Sequence, residues 1–212
     1  MDSDNRNSGA SSPPFVEGYV AGPPDRLATW EDIVNLPERF GAEIIGGRIH
    51  YRAMTRWRHG HAIGLVGARL VNALGDRGAA GWWILHDADF DIGHGNSVRP
   101  DLAGVRKERY PDELPDEFPL RLIPDWVCEV LSPSNAHYDR CDKAEAYGKA
   151  GVPWYWIVDT EERTLEVLEL VNGRWQIFGV YTDGAVVGLP PFEDVTLAVS
   201  EIFAPKKAAP QK

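Results

Sequence analysis

The stretch that decides the fold is residues 125–159, DWVCEVLSPSNAHYDRCDKAEAYGKAGVPWYWIVD, because it contains a strand, a helix and a second strand in succession. DWVCEVL is a short apolar run of strand length that ends at a Ser-Pro-Ser turn. Residues 137–150 are predicted to form a helix that ends at Gly151 and Pro153, and WYWIVD is predicted to be a buried strand. This order indicates an α/β fold in which helices pack on a sheet.

The regions on both sides of this stretch extend the sheet. Toward the N-terminus, the Gly46-Gly47 pair predicts a hairpin between AEII and RIHYRA, and WWILHDADFDI and VRPDLAGV are strand candidates. Toward the C-terminus, Asn172-Gly173 predicts a second hairpin, formed by TLEVLEL and RWQIFGVY. The predicted fold class is α/β, in the sense of an α+β mixed sheet: a central mixed β-sheet flanked by helices, with N-terminal and C-terminal β-hairpins.

Two further helices precede the deciding stretch. Thr29 and Asp32 in TWEDIVNL fit a capping box that opens a short helix, and Pro37 marks its end. Residues 59–74, HGHAIGLVGARLVNAL, have apolar side chains at positions 63, 66, 70 and 74, which is the spacing of an amphipathic helix.

Length and composition limit the domain organisation and the classes of function. A chain of 212 residues with 43% hydrophobic residues is long enough for one folded domain, predicted at residues 25–204. Residues 1–24 are predicted to be a disordered tail and residues 205–212 a flexible one, because both lack apolar periodicity. Two cysteines are too few for a disulfide scaffold. With no apolar run near the roughly 20 residues of a membrane helix and no signal-peptide pattern, we expect a cytoplasmic protein without membrane contact.

The charge distribution argues against a protein that coats nucleic acid, but it allows a local contact. The formal net charge is −10, whereas binding along nucleic acid depends largely on Lys and Arg that neutralise phosphates. The segment RIHYRAMTRWRH, residues 48–59, nevertheless holds four Arg and two His without an acid. It is either a basic contact face for nucleic acid or an ordinary solvated hairpin edge and loop.

An acid at the centre of a buried strand is the first sign of chemistry. The two-residue period of DWVCEVL places Glu129 between Val127 and Leu131 on one face of the strand. A buried carboxylate is costly unless a cation or hydrogen bonds compensate it. Asp101 follows Pro100 at the head of the apolar run LAGV, and its carboxylate needs the same compensation. The alternative is that Asp101 only stabilises a turn.

The helix after Glu129 carries a lysine that can reach the strand ends. Asp139, Lys143 and Tyr147 are spaced i, i+4 and i+8, so they lie along one stripe of the predicted helix. Two acids from adjacent strands and one Lys are what metal-assisted phosphodiester hydrolysis requires, because carboxylates hold Mg²⁺ and a cation stabilises developing charge. The competing interpretation of Lys143 is a surface ion pair with Asp139.

These residues carry a resemblance to a known family. The strings TWEDIVNLP, AEIIGGRI and RPDLAGVRKERYP, together with residues 125–159, resemble the Uma-two (Uma2) family of restriction-endonuclease-like proteins over about residues 27–200. The resemblance implies the PD-(D/E)xK nuclease core, with Asp101 as the Asp of the PD pair and Glu129 as the following acid. These two residues would be the metal ligands, and the cofactor would be Mg²⁺ or Mn²⁺.

One position departs from the family's motif. The motif places a Lys two residues after Glu129, and this chain has Leu131 there. Similar proteins supply the Lys from the next helix, and Lys143 is the matching residue. The catalytic set that the resemblance implies is therefore Asp101, Glu129 and Lys143.

Three further residues are candidates for the same site. Glu43 matches an acid that the family carries near its N-terminal hairpin, and it is a third metal ligand, a base that positions water, or an exposed residue at a strand start. His59 either approaches the phosphate or caps its helix. Tyr147 either orients Lys143 or packs in the core.

Asp87, Asp89 and Asp91 form a second group of acids. Their spacing of two predicts that they share one face of the strand WWILHDADFDI. We interpret this face as solvated rather than as a second cation site, because no further ligands are spaced around it.

The expected function is that of a Mg²⁺-dependent, endodeoxyribonuclease-like hydrolase. Such a metal-dependent endonuclease or phosphodiesterase hydrolyses the phosphodiester bonds of nucleic acid, with DNA as the expected substrate. The alternative is a catalytically inert nuclease-fold protein that binds nucleic acid or a protein partner, which the net charge of −10 and Leu131 favour. A third interpretation is a homodimer whose C-terminal hairpin and Trp-rich edge form the interface.

Overall fold

Strands make up most of the regular structure. The computed structural model describes residues 20–21, 23, 25–34, 36, 41–52, 56–74, 81–133 and 136–205. The strands in these ranges are β1 Val20–Ala21, β2 Ala42–Ile45, β3 Arg48–Tyr51, β4 Trp82–His86, β5 Phe90–Gly93, β6 Asn96–Val98, β7 Leu102–Arg106, β8 Trp126–Leu131, β9 Trp154–Asp159, β10 Thr164–Val171, β11 Arg174–Thr182, β12 Val186–Leu189 and β13 Phe192–Ala198. The helices are α1 Trp30–Ile33, α2 Trp57–Leu74, α3 Ala136–Tyr138 and α4 Ala144–Ala150, with a π-helical turn Asp139–Lys143 and a 3₁₀ turn Val199–Ile202.

The strands form three sheets. The largest has the order β11-β10-β9-β8-β7-β4, in which β8 and β9 run parallel and the other neighbours are antiparallel. A second sheet has the order β1-β3-β2-β6-β5, and β12 pairs with β13. The predicted mixed sheet is confirmed, and so are both hairpins, β2–β3 and β10–β11. Gly46 and Gly47 have φ values of 57° and 72°, as the two-residue turn of a tight hairpin requires.

Two of the predicted strands are each divided in the structure. WWILHDADFDI forms β4 in the six-stranded sheet and β5 in the five-stranded sheet. The chain changes direction between them at Asp87, which has a φ of 55°. VRPDLAGV is divided between β6 and β7 around Pro100, whose ring fixes φ and which has no N–H to donate to a ladder. The prediction that WWILHDADFDI and VRPDLAGV each form a single strand is therefore wrong for both segments.

The six-stranded sheet has a core on each face. On one face, α2 and β13 pack against Trp126, Cys128 and Val130. On the other face, α4 and β5 pack against Val127 and Leu131. The predicted alternation along β8 is thus confirmed, and it directs Glu129 into the layer between this sheet and α4.

The helical predictions agree with the structure in type and differ in detail. The Asp32 carboxylate accepts a hydrogen bond of 2.8 Å from the Thr29 backbone N–H, so the capping box is confirmed, whereas Pro37 lies outside the described residues. The helix after β8 begins at Ala136 and ends before Gly151, whose φ of 86° is the left-handed conformation common after helix ends. Its middle turn is π-helical rather than α-helical.

The N-terminal boundary of the folded part differs from the predicted one. Val20 pairs with His50 and Ala21 with Ile49, so residues within the predicted tail 1–24 form a strand. Residues 1–19 and 206–212 lie outside the described residues, and one domain at 25–204 remains a prediction. In the part of the chain that the structure describes, no helix combines the length and the apolar character needed to cross a membrane.

Candidate active site

Glu129 lies on β8, and Asp101 directly precedes β7, the antiparallel neighbour of β8. Leu102, the first residue of β7, pairs with Cys128 of β8, so Asp101 lies directly before the paired part of β7. The Asp101 Oδ2 atom accepts a hydrogen bond of 2.8 Å from the Val130 backbone N–H, which ties the start of β7 to β8. Both carboxylates are buried, with exposed fractions of 4% and 1%.

Lys143 reaches these strands from the π-helical turn. Its Nζ atom lies 2.9 Å from Glu129 Oε1, 3.0 Å from Glu43 Oε1 and 3.9 Å from Asp139 Oδ1. π-Helical turns are rare and occur often at functional sites. Lys143 and Asp139 are both buried, so the interpretation of this pair as a surface ion pair is wrong.

Glu43 contributes a carboxylate from the five-stranded sheet. It is 1% exposed, so the interpretation as an exposed strand-start residue is wrong. Its Oε1 atom accepts a hydrogen bond of 2.6 Å from the Arg99 backbone N–H, and Oε2 accepts one of 3.4 Å from the Tyr138 hydroxyl. The site therefore lies between the two large sheets, beside the helical segment that carries Lys143.

Tyr147 and His59 contact the two central acids. The Tyr147 hydroxyl donates a hydrogen bond of 2.6 Å to Glu129 Oε1, the same oxygen that Lys143 contacts. The His59 Nε2 atom lies 3.1 Å from Asp101 Oδ2. The six candidates from the sequence therefore lie in two neighbouring sets of contacts. Lys143 contacts Glu43 and Glu129, and Tyr147 contacts Glu129. Asp101 contacts His59 and accepts the hydrogen bond from the Val130 N–H, next to Glu129.

Arg52 is a member of the group that the sequence did not single out. Its Nη2 atom lies 3.2 Å from Asp101 Oδ1, and its Nη1 atom donates a hydrogen bond of 2.8 Å to Asp87 Oδ1. The available signal was the basic segment 48–59, which contains Arg52. Nothing in the local sequence distinguishes this arginine from its neighbours, because its partners are distant along the chain.

The second group of acids does not share a solvated face. Asp87 is exposed and pairs with Arg52, whereas Asp89 is buried and accepts a hydrogen bond of 2.9 Å from Arg99 Nε. Asp91 Oδ1 accepts a hydrogen bond of 3.0 Å from the Gly93 N–H. The prediction was wrong because the turn at Asp87 breaks the alternation on which it depended.

The two central acids have opposite pKa shifts. Burial raises the pKa of the Glu129 carboxyl to about 7, although the charge of Lys143 opposes the shift. Burial also opposes the ionisation of Asp101, but its contact with His59 and the charge of Arg52 outweigh that effect and lower its pKa. For Lys143, the surrounding carboxylates outweigh burial and raise the pKa above its ordinary value, so the ammonium stays charged. Acids with separated pKa values in one place are typical of sites that perform chemistry.

The donor set suits a divalent cation in its chemistry. The carboxylates of Glu43, Asp101 and Glu129 are hard oxygen ligands of the kind that Mg²⁺ and Mn²⁺ bind. The four buried acids of this group include Asp139, whose pKa burial raises well above its ordinary value, and they face two cations, Lys143 and Arg52. Within the described ranges, no three His, Cys, Asp or Glu side chains are grouped as ligands around one point. Instead, Lys143 contacts both Glu43 and Glu129 and supplies positive charge between them.

Comparisons with known proteins agree with this fold. The chain is similar to a protein from Anabaena variabilis ATCC 29413 whose crystal structure is described as that of a "putative nuclease belonging to DUF820", with a TM-score of 0.66 and 22% sequence identity over 81% of this chain and 95% of that chain. This similarity confirms the predicted fold class. No curated protein sequence matches the chain. The model of the Uma2 family, described as "Putative restriction endonuclease", matches residues 30–200, so this protein belongs to the Uma2 family.

Proposed function

We propose that this protein is a divalent-metal-dependent phosphodiesterase that hydrolyses nucleic acid. The observation that supports this function best is the buried group in which Lys143 contacts Glu129 and Glu43, with Asp101 bound to the N–H of the neighbouring Val130. Buried ionic groups seldom improve stability over well-packed apolar residues of similar volume. A buried group of four acids around Lys143 and Arg52 is therefore better explained by a cation-dependent activity than by a structural role.

Each side chain has a distinct role in this proposal. Asp101 and Glu129 would hold the metal ion, with Glu43 as a third oxygen donor. A bound Mg²⁺ or Mn²⁺ would polarise the phosphate and lower the pKa of water, which is the chemistry that hydrolysis needs. Lys143 keeps its proton and would stabilise the charge that develops on the phosphate oxygens.

Two contacts hold the acids in position. The Tyr147 hydroxyl orients Glu129, and the Val130 N–H orients Asp101. Partners of this kind fix the direction of a ligand's lone pairs and tune its affinity for metal. His59, in contact with Asp101, would approach the phosphate from the start of α2.

The family supports nucleic acid as the substrate class. Its description reads "Putative restriction endonuclease", and the similar Anabaena protein is described as a "putative nuclease". We take DNA as the expected polymer, as the sequence suggested. A cytoplasmic location and a homodimer also remain predictions from the sequence.

A second candidate function is a nuclease-fold protein that binds nucleic acid or a partner without cutting it. It is favoured by the position of Lys143, whose ammonium already contacts both Glu43 and Glu129, and by Leu131 at the motif's usual lysine position. In such a protein the cluster would be structural, and divalent ions would not bind to it.

Calorimetric titration of Mg²⁺ and Mn²⁺ into the full chain separates the two functions. The proposed enzyme should bind at least one ion, and Glu129→Gln should weaken that binding, because the neutral amide is a poorer ligand than a carboxylate. The side chains have nearly the same shape, so folding should be retained, which circular dichroism checks. Absence of binding in the wild-type protein would favour the inert protein.

The affinity for Mg²⁺ should depend on pH through Glu129. A carboxylate must lose its proton to bind a metal ion, and burial raises the pKa of Glu129 to about 7. Most Glu129 side chains are therefore protonated at pH 6 and ionised at pH 8. We expect the apparent Kd to fall about tenfold over this range if one proton is released on binding. Titration at pH 6, 7 and 8 tests this, and a Kd independent of pH would remove Glu129 from the ligand set.

A further inference from the structure

A cleft of about 370 Å³ opens beside the carboxylate cluster. Its walls include the first turn of α2 and the residues that follow the parallel strands β8 and β9. The volume falls within the range of about 300–1,000 Å³ that is typical of small-ligand sites. His59 belongs to both places, because it lines the cleft and its Nε2 atom lies 3.1 Å from Asp101 Oδ2.

Trp57 presents an aromatic surface at this cleft. Its side chain is 68% exposed although it begins an 18-residue helix whose other face is buried in the core. The Arg58 guanidinium lies 5.5 Å from the centre of the indole ring. An exposed indole next to an arginine is the combination on which nucleic-acid bases stack, since every base has an aromatic face.

Positive charge accompanies the indole. Arg56 and Arg58 line the cleft, the first turn of α2 contains no acid, and this is the positive end of the helix dipole. Glu161 is the opposing charge, with its Oε1 atom 3.6 Å from Arg58 Nη1. Both side chains of this pair are well exposed, so the interaction is weak and a phosphate can replace it.

We propose that the cleft binds one nucleotide of an unpaired strand, with its base on Trp57 and its phosphate at Arg56 and Arg58. This inference rests on the proposed function and specifies its substrate class as single-stranded or locally unpaired nucleic acid. A paired base inside a duplex has both faces covered by its neighbours and cannot stack on Trp57 without leaving the helix. The shared chemistry of a base and a phosphate fits DNA and RNA alike.

Fluorescence anisotropy with labelled oligonucleotides in EDTA tests this binding without cleavage. The probes are single-stranded DNA, single-stranded RNA and duplex DNA of one sequence, at one fixed salt concentration. We expect a single strand to bind more tightly than the duplex, and Trp57→Ala to weaken that binding by about tenfold or more, as loss of a stacking platform does. Trp57→Phe, which keeps an aromatic ring, should retain most of the affinity.

Charge variants complete the test. Arg58→Ala should weaken binding of the single strand, and Glu161→Gln should tighten it, because the neutral amide no longer competes with phosphate. Arg174→Ala is the matched control. This exposed arginine is the first residue of β11, and the β10–β11 turn beside it lies at the opposite end of the six-stranded sheet from the cleft. The affinity of Arg174→Ala for the single strand should equal that of the wild-type protein. Trp57 is largely exposed, so Trp57→Ala should keep the wild-type melting temperature.

The outcomes separate this inference from the proposed function. Binding of a single strand that depends on Trp57, in a protein that cuts nothing in Mg²⁺ or Mn²⁺, would support the cleft and contradict the enzyme. Metal-dependent cleavage with unchanged binding by Trp57→Ala would support the enzyme and overturn the cleft. Duplex binding as tight as that of both single strands would also overturn it.

Discussion

Replacing Lys143 with alanine should lower the cleavage rate by roughly a hundredfold or more and should also destabilise the protein. The rate should fall because a fixed positive charge is lost where negative charge develops on the phosphate. Single-turnover cleavage of a labelled oligonucleotide, at saturating protein and metal, measures this effect separately from substrate binding. A rate equal to that of the wild-type protein would remove Lys143 from the mechanism.

The stability of the same variant should fall by about 3–5 kcal/mol in the absence of metal. The Lys143 ammonium is 2% exposed and lies within 3.0 Å of both Glu129 and Glu43. Its removal leaves two buried carboxylates without the ammonium that contacts both of them, so their ionised forms become costly. Urea denaturation measures the loss. Added Mg²⁺ should restore more stability to Lys143→Ala than to the wild-type protein, because the ion replaces the missing charge.

Lys149→Ala provides the matched control for both measurements. Lys149 lies on α4, and its side chain is 62% exposed in a surface pair with Glu145. Surface pairs of this kind contribute only about 0–1 kcal/mol. The cleavage rate of this variant should equal that of the wild-type protein, and its stability should change little. Lys143→Arg should not restore full activity, because a planar guanidinium does not fit a buried position shaped for an ammonium.

Asp101→Asn should weaken the affinity for Mg²⁺ by roughly 100-fold or more, because it alters a proposed direct ligand and loss of an outer-shell partner alone costs about 10–100-fold. The side-chain oxygen of asparagine can still accept the hydrogen bond from the Val130 N–H, so the strand register should be preserved. Cleavage should fall in parallel with metal binding. Calorimetric titration measures the affinity, and the cleavage assay at several Mg²⁺ concentrations measures the rate.

Asp91→Asn is the control for this substitution. Asp91 accepts a hydrogen bond from the Gly93 N–H in the β5 turn and does not contact the acids of the site. The same change of charge at that position should leave Mg²⁺ affinity unaltered. If Asp101→Asn binds Mg²⁺ as tightly as Asp91→Asn does, Asp101 is not a ligand.

Local signals were sufficient to predict the β8–helix–β9 unit and both hairpins. Apolar runs of strand length, paired glycines and the Asn172-Gly173 turn act over a few residues, so a single sequence carries them. The division of WWILHDADFDI between two sheets could not be predicted in this way. Alternation of polar and apolar residues does not reveal which sheet a strand joins, and Asp87 gives no local sign of its positive φ.

The candidate site shows the same limit. Glu129 could be found because a carboxylate on an apolar strand face needs compensation, and Asp101 and Lys143 followed from the family's motif. The contact of Lys143 with Glu43, and that of Arg52 with Asp101, join residues far apart in the sequence. Such contacts depend on how the two large sheets and the helical segment pack together. For the same reason, no local pattern indicated that Lys143 would contact both acids at once.

Cleavage of labelled single-stranded and duplex oligonucleotides in Mg²⁺, in Mn²⁺ and in EDTA tests the proposed function most directly. The assay compares the wild-type protein with Asp101→Asn and Asp91→Asn, purified in the same way. We expect cleavage that requires the metal ion, persists in Asp91→Asn and is lost in Asp101→Asn. Cleavage that survives in Asp101→Asn, or the absence of cleavage by the wild-type protein in either metal, would contradict a metal-dependent phosphodiesterase at this site.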